Sequence, residues 1–414
     1  MSDNKVQDKP SKWVLATLTF SHLSQHFYVG APILYQSVRT DLGLNYSEIG
    51  VMTGASNMLG GFLQMAYSIA ARRLARRTLL CIANLGMSLG CFLMGLANRF
   101  LDLLSGNVAA GVGQAGMHPM GTSIIADKFG RKGVSGALST FYGLGYIGNI
   151  VSPILLSSIA VLMGWRFSFF ILALVPLISG LTVLFYLRGE SASEKILLRE
   201  SQGSLLSEIK SSLRIKGAAA VLVAQSFIAS GTGLGVVTTW VPQLLRDPSK
   251  GFGLDIVQAG VVSAVSTGGG VIGTIIVGHL ADRFGHLRTA MACTLSTVVL
   301  VYLLTFYSSF TPILLPHLFI LGVTTFSITS LLQAHLAIIS PSSQRDILLG
   351  LFFTFGFGIS SLWTTVLGSL IDIYSSFNAA WIGMSLLGVV ALFTLFIAYR
   401  STPGKEQLKE ITRD

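Results

Sequence analysis

Twelve stretches of about 20 residues, nearly free of charge, follow one another along this chain of 414 residues. No feature constrains the fold more, because about 20 apolar residues are what a helix needs to cross a bilayer. The spans predicted on this basis are 12–36, 46–70, 78–97, 101–126, 134–161 and 165–187, then 217–244, 256–279, 289–308, 313–335, 347–371 and 377–399. The first is long, carries His22, Gln25 and His26 in its middle and lacks a clear small-residue cleavage site, so it reads as a retained helix rather than a secretory leader.

Charge placement agrees with lipid. Only 11% of residues are charged, and all 18 acidic ones fall at segment ends, in loops or in tails. An ordinary soluble domain carries about 25% charged residues. The net charge of +10 does not point to nucleic acid, since the basic residues cluster between apolar stretches instead of along one soluble face. With the N-terminus inside, 23 of the 28 Lys and Arg residues lie in cytoplasmic segments, and only Arg39, Arg99, Arg166, Arg246 and Lys250 lie outside. That asymmetry places both termini in the cytoplasm and requires an even number of spans. The expected partners are therefore the bilayer, a cell (inner) membrane, and a small solute, in a monomeric chain with no cofactor and no nucleic acid. Cys81, Cys91 and Cys293 form neither a disulfide framework nor a metal motif.

The predicted fold is an all-α membrane protein of twelve transmembrane helices in two pseudo-symmetric six-helix bundles, 1–187 and 217–399, with a linker over 188–216 and a tail over 400–414. The linker spaces Ile196, Leu197, Leu205, Leu206, Ile209 and Leu213 as an amphipathic surface helix would, and a plain tether is the alternative. The duplication is legible directly. Gly43-Leu-Asn-Tyr-Ser-Glu-Ile-Gly50 and Gly253-Leu-Asp-Ile-Val-Gln-Ala-Gly260 stand 210 residues apart, and the same offset carries Ser68–Arg77 onto Gly278–Leu287. Ser139-Thr-Phe-Tyr-Gly-Leu-Gly145 likewise echoes Phe353-Thr-Phe-Gly-Phe-Gly358. Duplicated bundles of this kind place a solute site at their interface near mid-membrane.

The segment Gly278-His-Leu-Ala-Asp-Arg-Phe-Gly-His-Leu-Arg288 resembles the loop signature of the major facilitator superfamily, and Gly164-Trp165-Arg166 stands at that family's usual start of span six. The resemblance implies an alternating-access transporter. It also implies gating loops, here Arg72, Arg73 and Arg76 in the first half and Gly278, Asp282, Arg283, Gly285 and Arg288 in the second. Asp282 is expected to accept from helix N-terminal N–H groups or to pair with a nearby Arg. Within the superfamily the chain is similar to fosmidomycin-resistance-like exporters, through His22 and the His118-Pro119 pair. It departs from that pattern where Gln25 and His26 replace Asn and Asp, and where Ser68, Arg72 and Ala75 replace Gly, Asp and Gly in the first-half loop. Asn107 replaces the arginine of a motif linked to proton coupling, and Ser152-Pro153 replaces the Gly-Pro of the antiporter motif.

No Lys, Arg, Asp or Glu lies at predicted mid-membrane depth, which disfavours a strongly charged solute, whose desolvation calls for a buried counter-charge. A neutral, amphipathic or weakly acidic solute fits better. The candidate site residues are His22, Gln25, His26 and Tyr28 on span one, Asn107, Gln114 and His118 on span four, Gln225, Thr239 and Trp240 on span seven, and Thr325 and Thr329 on span ten. His22, Gln25 and His26 share one helix face, which lipid would penalise. Histidine titrates near neutral pH, so His22, His26 or His118 is a candidate proton carrier, against the alternative of rings that only bond between packed helices. Pro119 predicts a bend that turns His118 inward. The glycine runs Gly268–Gly270, Gly273 and Gly278 on span eight, and Gly143, Gly145 and Gly148 on span five, read as close packing surfaces that gate rather than bind. Efflux and weak-acid uptake remain open, as do a facilitative uniporter and, more remotely, a membrane-embedded metalloenzyme built on His22 and His26. A carboxylate or thiolate suited as a third metal ligand is missing from the spans.

Overall fold

The computed structural model describes residues 12–71, 73–187, 205–341 and 344–402. Helices account for almost all of them: α1 (Lys12–Val29), α2 (Tyr35–Leu42), α3 (Tyr46–Ala70), α4 (Arg76–Leu96), α5 (Phe100–Gln114), α6 (Met117–Tyr186), α7 (Leu205–Leu213) and α8 (Ala218–Phe227). There follow α9 (Val241–Arg246), α10 (Ile256–Phe284), α11 (His286–Leu303), α12 (Leu314–Ile339), α13 (Arg345–Phe353), α14 (Leu362–Tyr374) and α15 (Phe377–Ser401). No strand occurs among the described residues.

The helical record over Met117–Tyr186 is too long to be one rod. Seventy residues would extend about 105 Å, yet the His118 and Tyr142 rings stack 6.1 Å apart and the Ser168 hydroxyl donates to the Leu156 carbonyl at 3.2 Å. The chain therefore doubles back twice, the second time at Gly164, whose φ of +85° costs a glycine little. This region supplies the end of span four and all of spans five and six. Eight segments of the described residues are long and apolar enough to cross a membrane, and one of them, Gly136–Tyr186, has 51 residues, enough for two crossings. Spans one, two and four fall short of that measure because α1 and α3 are polar and α5 is short. Large apolar side chains such as Leu162, Phe306 and Ile373 are 81%, 70% and 73% exposed, as a lipid-facing belt requires.

The repeated octapeptides are one structural device used twice. Gly43 and Gly253 take φ of +66° and +63° and turn the chain into α3 and α10. Two residues on, Asn45 and Asp255 cap those helices, Asn45 through a reciprocal bond with Glu48 and Asp255 through the N–H groups of Val257 and Gln258. At the octapeptides' ends, Gly50 lies against the Thr364 carbonyl of α14 and Gly260 against the Pro153 carbonyl of span five. Each half thus presents an equivalent glycine to the other. The two six-helix bundles meet along these seams, α3 on α14 and span five on α10.

Small residues also hold each bundle together. A Cβ on Gly90 would collide with the backbone of Gly106 and Ala110, and one on Gly322 with Ser266 and Gly270. The span-eight glycines Gly269, Gly270 and Gly273 pack on α12 within their own bundle, whereas Gly268 faces Ile150 across the seam. Gly145 and Gly148 pack on His22 and His26 of α1. Gly143 and Gly278 have nothing within 4 Å of where a Cβ would stand, so they are not packing surfaces in this conformation. The linker residues Ile196 and Leu197 lie outside the described residues, and α7 carries the helix expected at Leu205–Leu213.

Gly90→Ala should destabilise the folded protein by about 1–3 kcal/mol through forced overpacking, whereas Gly278→Ala should be near neutral. Thermal unfolding of the two purified variants beside the parent chain checks the contrast.

Candidate functional site

A cavity with about 1080 Å³ of empty space opens between the two bundles. Span one contributes Gln25, His26, Tyr28 and Val29, and the turn after it adds Pro32 and Tyr35. From α3 come Thr53, Ser56, Asn57, Gly60, Gly61 and Gln64, a polar stripe at helical spacing. Span four supplies Asn107, Gly111, Gln114 and His118. The opposite wall is span seven, with Ser230, Gly235, Thr238 and Thr239, together with Phe357 and Thr364 of span eleven. Among the described residues, no Asp, Glu, Lys or Arg lines the cavity. The buried Gln25 Oε1 and Thr53 Oγ1 on its wall have no hydrogen-bond partner in the structure, and such atoms are costly unless a ligand or water satisfies them.

Span seven is interrupted where it reaches the cavity. Ile228–Thr232 and Val236–Trp240 are π-helical, and Gly233 between them leaves helical geometry at φ −102° and ψ −119°. Span eleven has its own π-helical stretch over Thr354–Ile359. The Ser230 N–H, freed from regular helix bonding, donates to the Ser360 hydroxyl at 2.8 Å, and the Trp363 indole donates to the Ser226 carbonyl at 2.9 Å. Such local widening is common at functional sites. The segment Ala218–Arg246 is also the most central, with 78% of its apolar window buried against 39% for His286–Phe306.

Behind the wall, His22 and His26 meet Nε2 to Nε2 at 3.0 Å. His22 Nδ1 donates to the Phe141 carbonyl at 2.9 Å, and His26 Nδ1 lies 2.9 Å from Asn149 Oδ1. The rings of His118, Phe141, Tyr142 and Tyr146 surround the pair at centroid distances of 4.3–5.8 Å from His22. This approach needs glycine on span five, since a Cβ at Gly145 would strike the His22 ring and one at Gly148 the backbone and Cβ of His26.

Other predicted residues lie elsewhere. Asn107 donates to the Tyr35 hydroxyl at 3.3 Å and receives span two through the Ser56 hydroxyl on its carbonyl. Gln225 reaches Thr329 at 3.5 Å inside the second bundle, and Thr325 bonds back to the Leu321 carbonyl. Trp240 is fully buried beside Tyr46. None of these last four lines the cavity. The sequence reading passed over Tyr35, Asn57, Gln64, Asn149 and Ser230, although the α3 stripe at 53, 56, 57, 60 and 64 carried a detectable helical period.

One end of the cavity is locked across the bundles by two carboxylates of the second half. Asp247 accepts from Arg39 at 2.6 Å and from the Tyr46 hydroxyl. Asp372 accepts from the backbone N–H groups of Tyr46 and Ser47 at 3.0 and 2.7 Å, so it caps the first turn of α3 from the opposite bundle. Gln243 donates to the Pro32 carbonyl and Arg246 to the Ser37 hydroxyl nearby.

At the other end, Arg72 lies outside the described residues, and Arg73 and Arg283 are exposed. Arg76 pairs with Asp127 at the end of span four. The expected role of Asp282 is corrected: among the described residues it neither caps a helix nor meets an arginine, and it lies 3.7 Å from His286. Arg288 instead donates to the Tyr399 hydroxyl at 2.8 Å. Gly285, at φ +94°, ends α10. Among the described residues no group of three His, Cys, Asp or Glu is arranged to hold a metal.

Burial pushes the Asp247 carboxyl up, but bonds from the Tyr46 hydroxyl, the Lys250 and Ser249 N–H groups and the Ser249 hydroxyl outweigh it and hold it below the usual carboxylate range. A group so depressed stabilises the closed end above its free value and loses that contribution as pH falls through the depressed one. The lock should therefore persist at neutral pH and weaken only in acid below about 4. Asp247→Asn, which strands Arg39, should shift the equilibrium toward separation of that end by about 3 kcal/mol. Spin-label distances across the Arg39 and Asp247 end, with pH and in the variant, check both statements.

The Major Facilitator Superfamily profile matches residues 16–249 and 244–413. A probable L-galactonate transporter of Escherichia coli K12 is 23% identical over 59% of this chain and 56% of its own length. A probable sulfoacetate transporter of Cupriavidus necator is 26% identical over 89% of this chain and 88% of its own. The crystal structure of the nucleoside transporter NupG superposes with a TM-score of 0.73 at 14% identity, covering 94% of this chain and 100% of that one.

Proposed function

The chain belongs to the Major Facilitator Superfamily, and on that premise we propose that it carries a small neutral, amphipathic or weakly acidic solute across the inner membrane by alternating access. Membership makes it a multi-pass membrane transporter and not an enzyme. What carries the finer reading is the cavity between the bundles, lined by amides, hydroxyls and a histidine edge and, among the described residues, free of fixed charge. A dianion would find no counter-charge there, whereas a hydroxylated or singly ionised acid would find many donors and acceptors.

Alternating access is supported by the distribution of contacts. The Arg39 and Asp247 end is closed, and the interrupted span seven offers a hinge. His22, Gln25, His26, Tyr28, Asn107, Gln114, His118 and Thr239 are the residues proposed to bind or couple, with His22, His26 or His118 carrying a proton. The expected cytoplasmic position of both termini puts the lock on the outer face, so the conformation described here opens inward. Kinship to the fosmidomycin-resistance-like exporters is proposed on His22 and His118-Pro119 alone. One named relative, the probable L-galactonate transporter, is named for a monocarboxylate, which favours the weak-acid member of the solute class.

A solute selected by thermal-shift screening of the purified protein should show saturable, counterflow-competent uptake in proteoliposomes. Gln25→Ala should raise its half-saturation concentration roughly tenfold, a loss of about 1.4 kcal/mol, the scale of one hydrogen bond. His26→Ala should abolish acceleration by an inward proton gradient. Non-saturable flux, or a proton dependence unchanged in His22→Ala, His26→Ala and His118→Ala alike, would sink the reading.

A further inference from the structure

We infer that His22 and His26 form a single-proton site, one proton shared between two Nε2 atoms, and that Asn149 links its occupancy to the seam between the bundles. The inference deepens the proton-carrying role proposed above by naming the atoms and the stoichiometry.

A count of protons on the four ring nitrogens leads there. His22 Nδ1 faces a carbonyl oxygen, that of Phe141, and must carry a hydrogen. With the Asn149 amide oxygen turned to it at 2.9 Å, His26 Nδ1 carries one as well. A neutral imidazole has only one N–H, so two neutral rings would leave both Nε2 atoms bare, lone pair against lone pair at 3.0 Å. One added proton turns that repulsion into an N–H to N bond and leaves the pair with a single positive charge. A second would place two N–H groups and two like charges face to face. The pair accordingly accepts one proton and rejects another.

Nothing fixed nearby competes for the charge. The groups facing the pair are Gln25 on α1, His118 at the start of α6, and Phe141, Tyr142, Tyr146 and Asn149 on span five. No carboxylate, Lys or Arg is paired with either ring among the described residues. Of the two rings, His26 lines the cavity, so proton and solute reach adjoining ground.

Asn149 faces both ways. Its side-chain oxygen accepts from His26, and its backbone carbonyl accepts from the Thr267 hydroxyl of α10 at 3.0 Å, across the bundle seam. Loss of the proton frees the two bare nitrogens to part. That movement pulls on span five at Phe141 and Asn149, two turns apart and both bonded to the pair. Asn149 is thus a positioning residue, and the proton's presence favours the seam as it stands.

Histidine 15N spectra of purified protein in lipid nanodiscs, followed over roughly pH 5 to 8 where imidazole changes charge, test this without any transport measurement. A solute-uptake failure therefore leaves this inference standing, and the reverse also holds. Signals are assigned by His22→Gln and His26→Gln. In the loaded form both Nδ1 atoms should be protonated and the two Nε2 signals should be linked by one proton, lost from both rings in a single step as pH rises. His118→Gln should leave that step in place, and Asn149→Ala should move it to lower pH by roughly one unit, a tenfold weaker hold on the proton. A pair that keeps His26 Nδ1 bare throughout the range, with the Asn149 amide donating to it, overturns the inference. So do two rings that titrate independently. Should Asn149→Ala fail to fold, the parent and His118→Gln spectra decide alone.

Discussion

Hydrocarbon offers no partner to a hydrogen-bonding side chain, and the architecture of this protein follows from that constraint. The polar groups of α1, α3, span four and span seven can be satisfied only by each other, by a solute or by water in a shared interior. Two bundles of helices that turn apolar faces to lipid and polar faces to one another meet the requirement. The cavity lining is the surplus left when no neighbour in the chain is close enough to serve: Gln25 Oε1 and Thr53 Oγ1 reach no protein partner. A transport site of this kind is a set of polar groups that the fold buries without fully pairing.

The two charged layers at the ends work differently from the neutral middle. Asp247 and Asp372 both reach from the second half to the start of α3 in the first, one to side chains and one to the backbone N–H groups of a helix terminus. Removing a partner from so buried a cluster is expensive, because it leaves the other charge unpaired. At the opposite end, among the described residues, Arg76 pairs with Asp127 and Asp282 with His286, each within one bundle. The histidine pair sits between the two ends, fixed to span five by a carbonyl and an amide, next to the cavity and one residue's width from the seam.

Helix number and the duplication were legible in the sequence, and the structure supplies the reason. Gly43 and Gly253, Asn45 and Asp255, and Gly50 and Gly260 recur at one offset because each trio performs the same local tasks: a left-handed turn, a helix cap and a close approach to the other bundle. Those tasks demand particular residue types, so they leave a trace in the letters. The site was legible in part. The spacing of His22, Gln25 and His26 put them on one face, and the cavity and the histidine pair lie on that face. Gln225, Trp240, Thr325 and Thr329 were named for the same polarity yet lie away from the cavity, inside the second bundle or beside the lock. Asn149 went unnoticed because a lone amide in an apolar span carries no periodic signal.

What the sequence settled alone is whatever depends on one helix at a time or on transfer from water to lipid: the spans, the doubled plan and the exclusion of charge from mid-membrane. What only the tertiary structure decided is which polar groups meet. The cross-bundle partners of Asp372 and Asp247 lie more than 200 residues away along the chain, and the Nε2 atoms of His22 and His26 face each other at 3.0 Å because Gly145 and Gly148 let span five close on them. A helical period fixes a direction around one axis. The rotation and approach of a neighbouring helix, set by close packing over its whole length, fix the distance on which hydrogen bonds and shared protons depend.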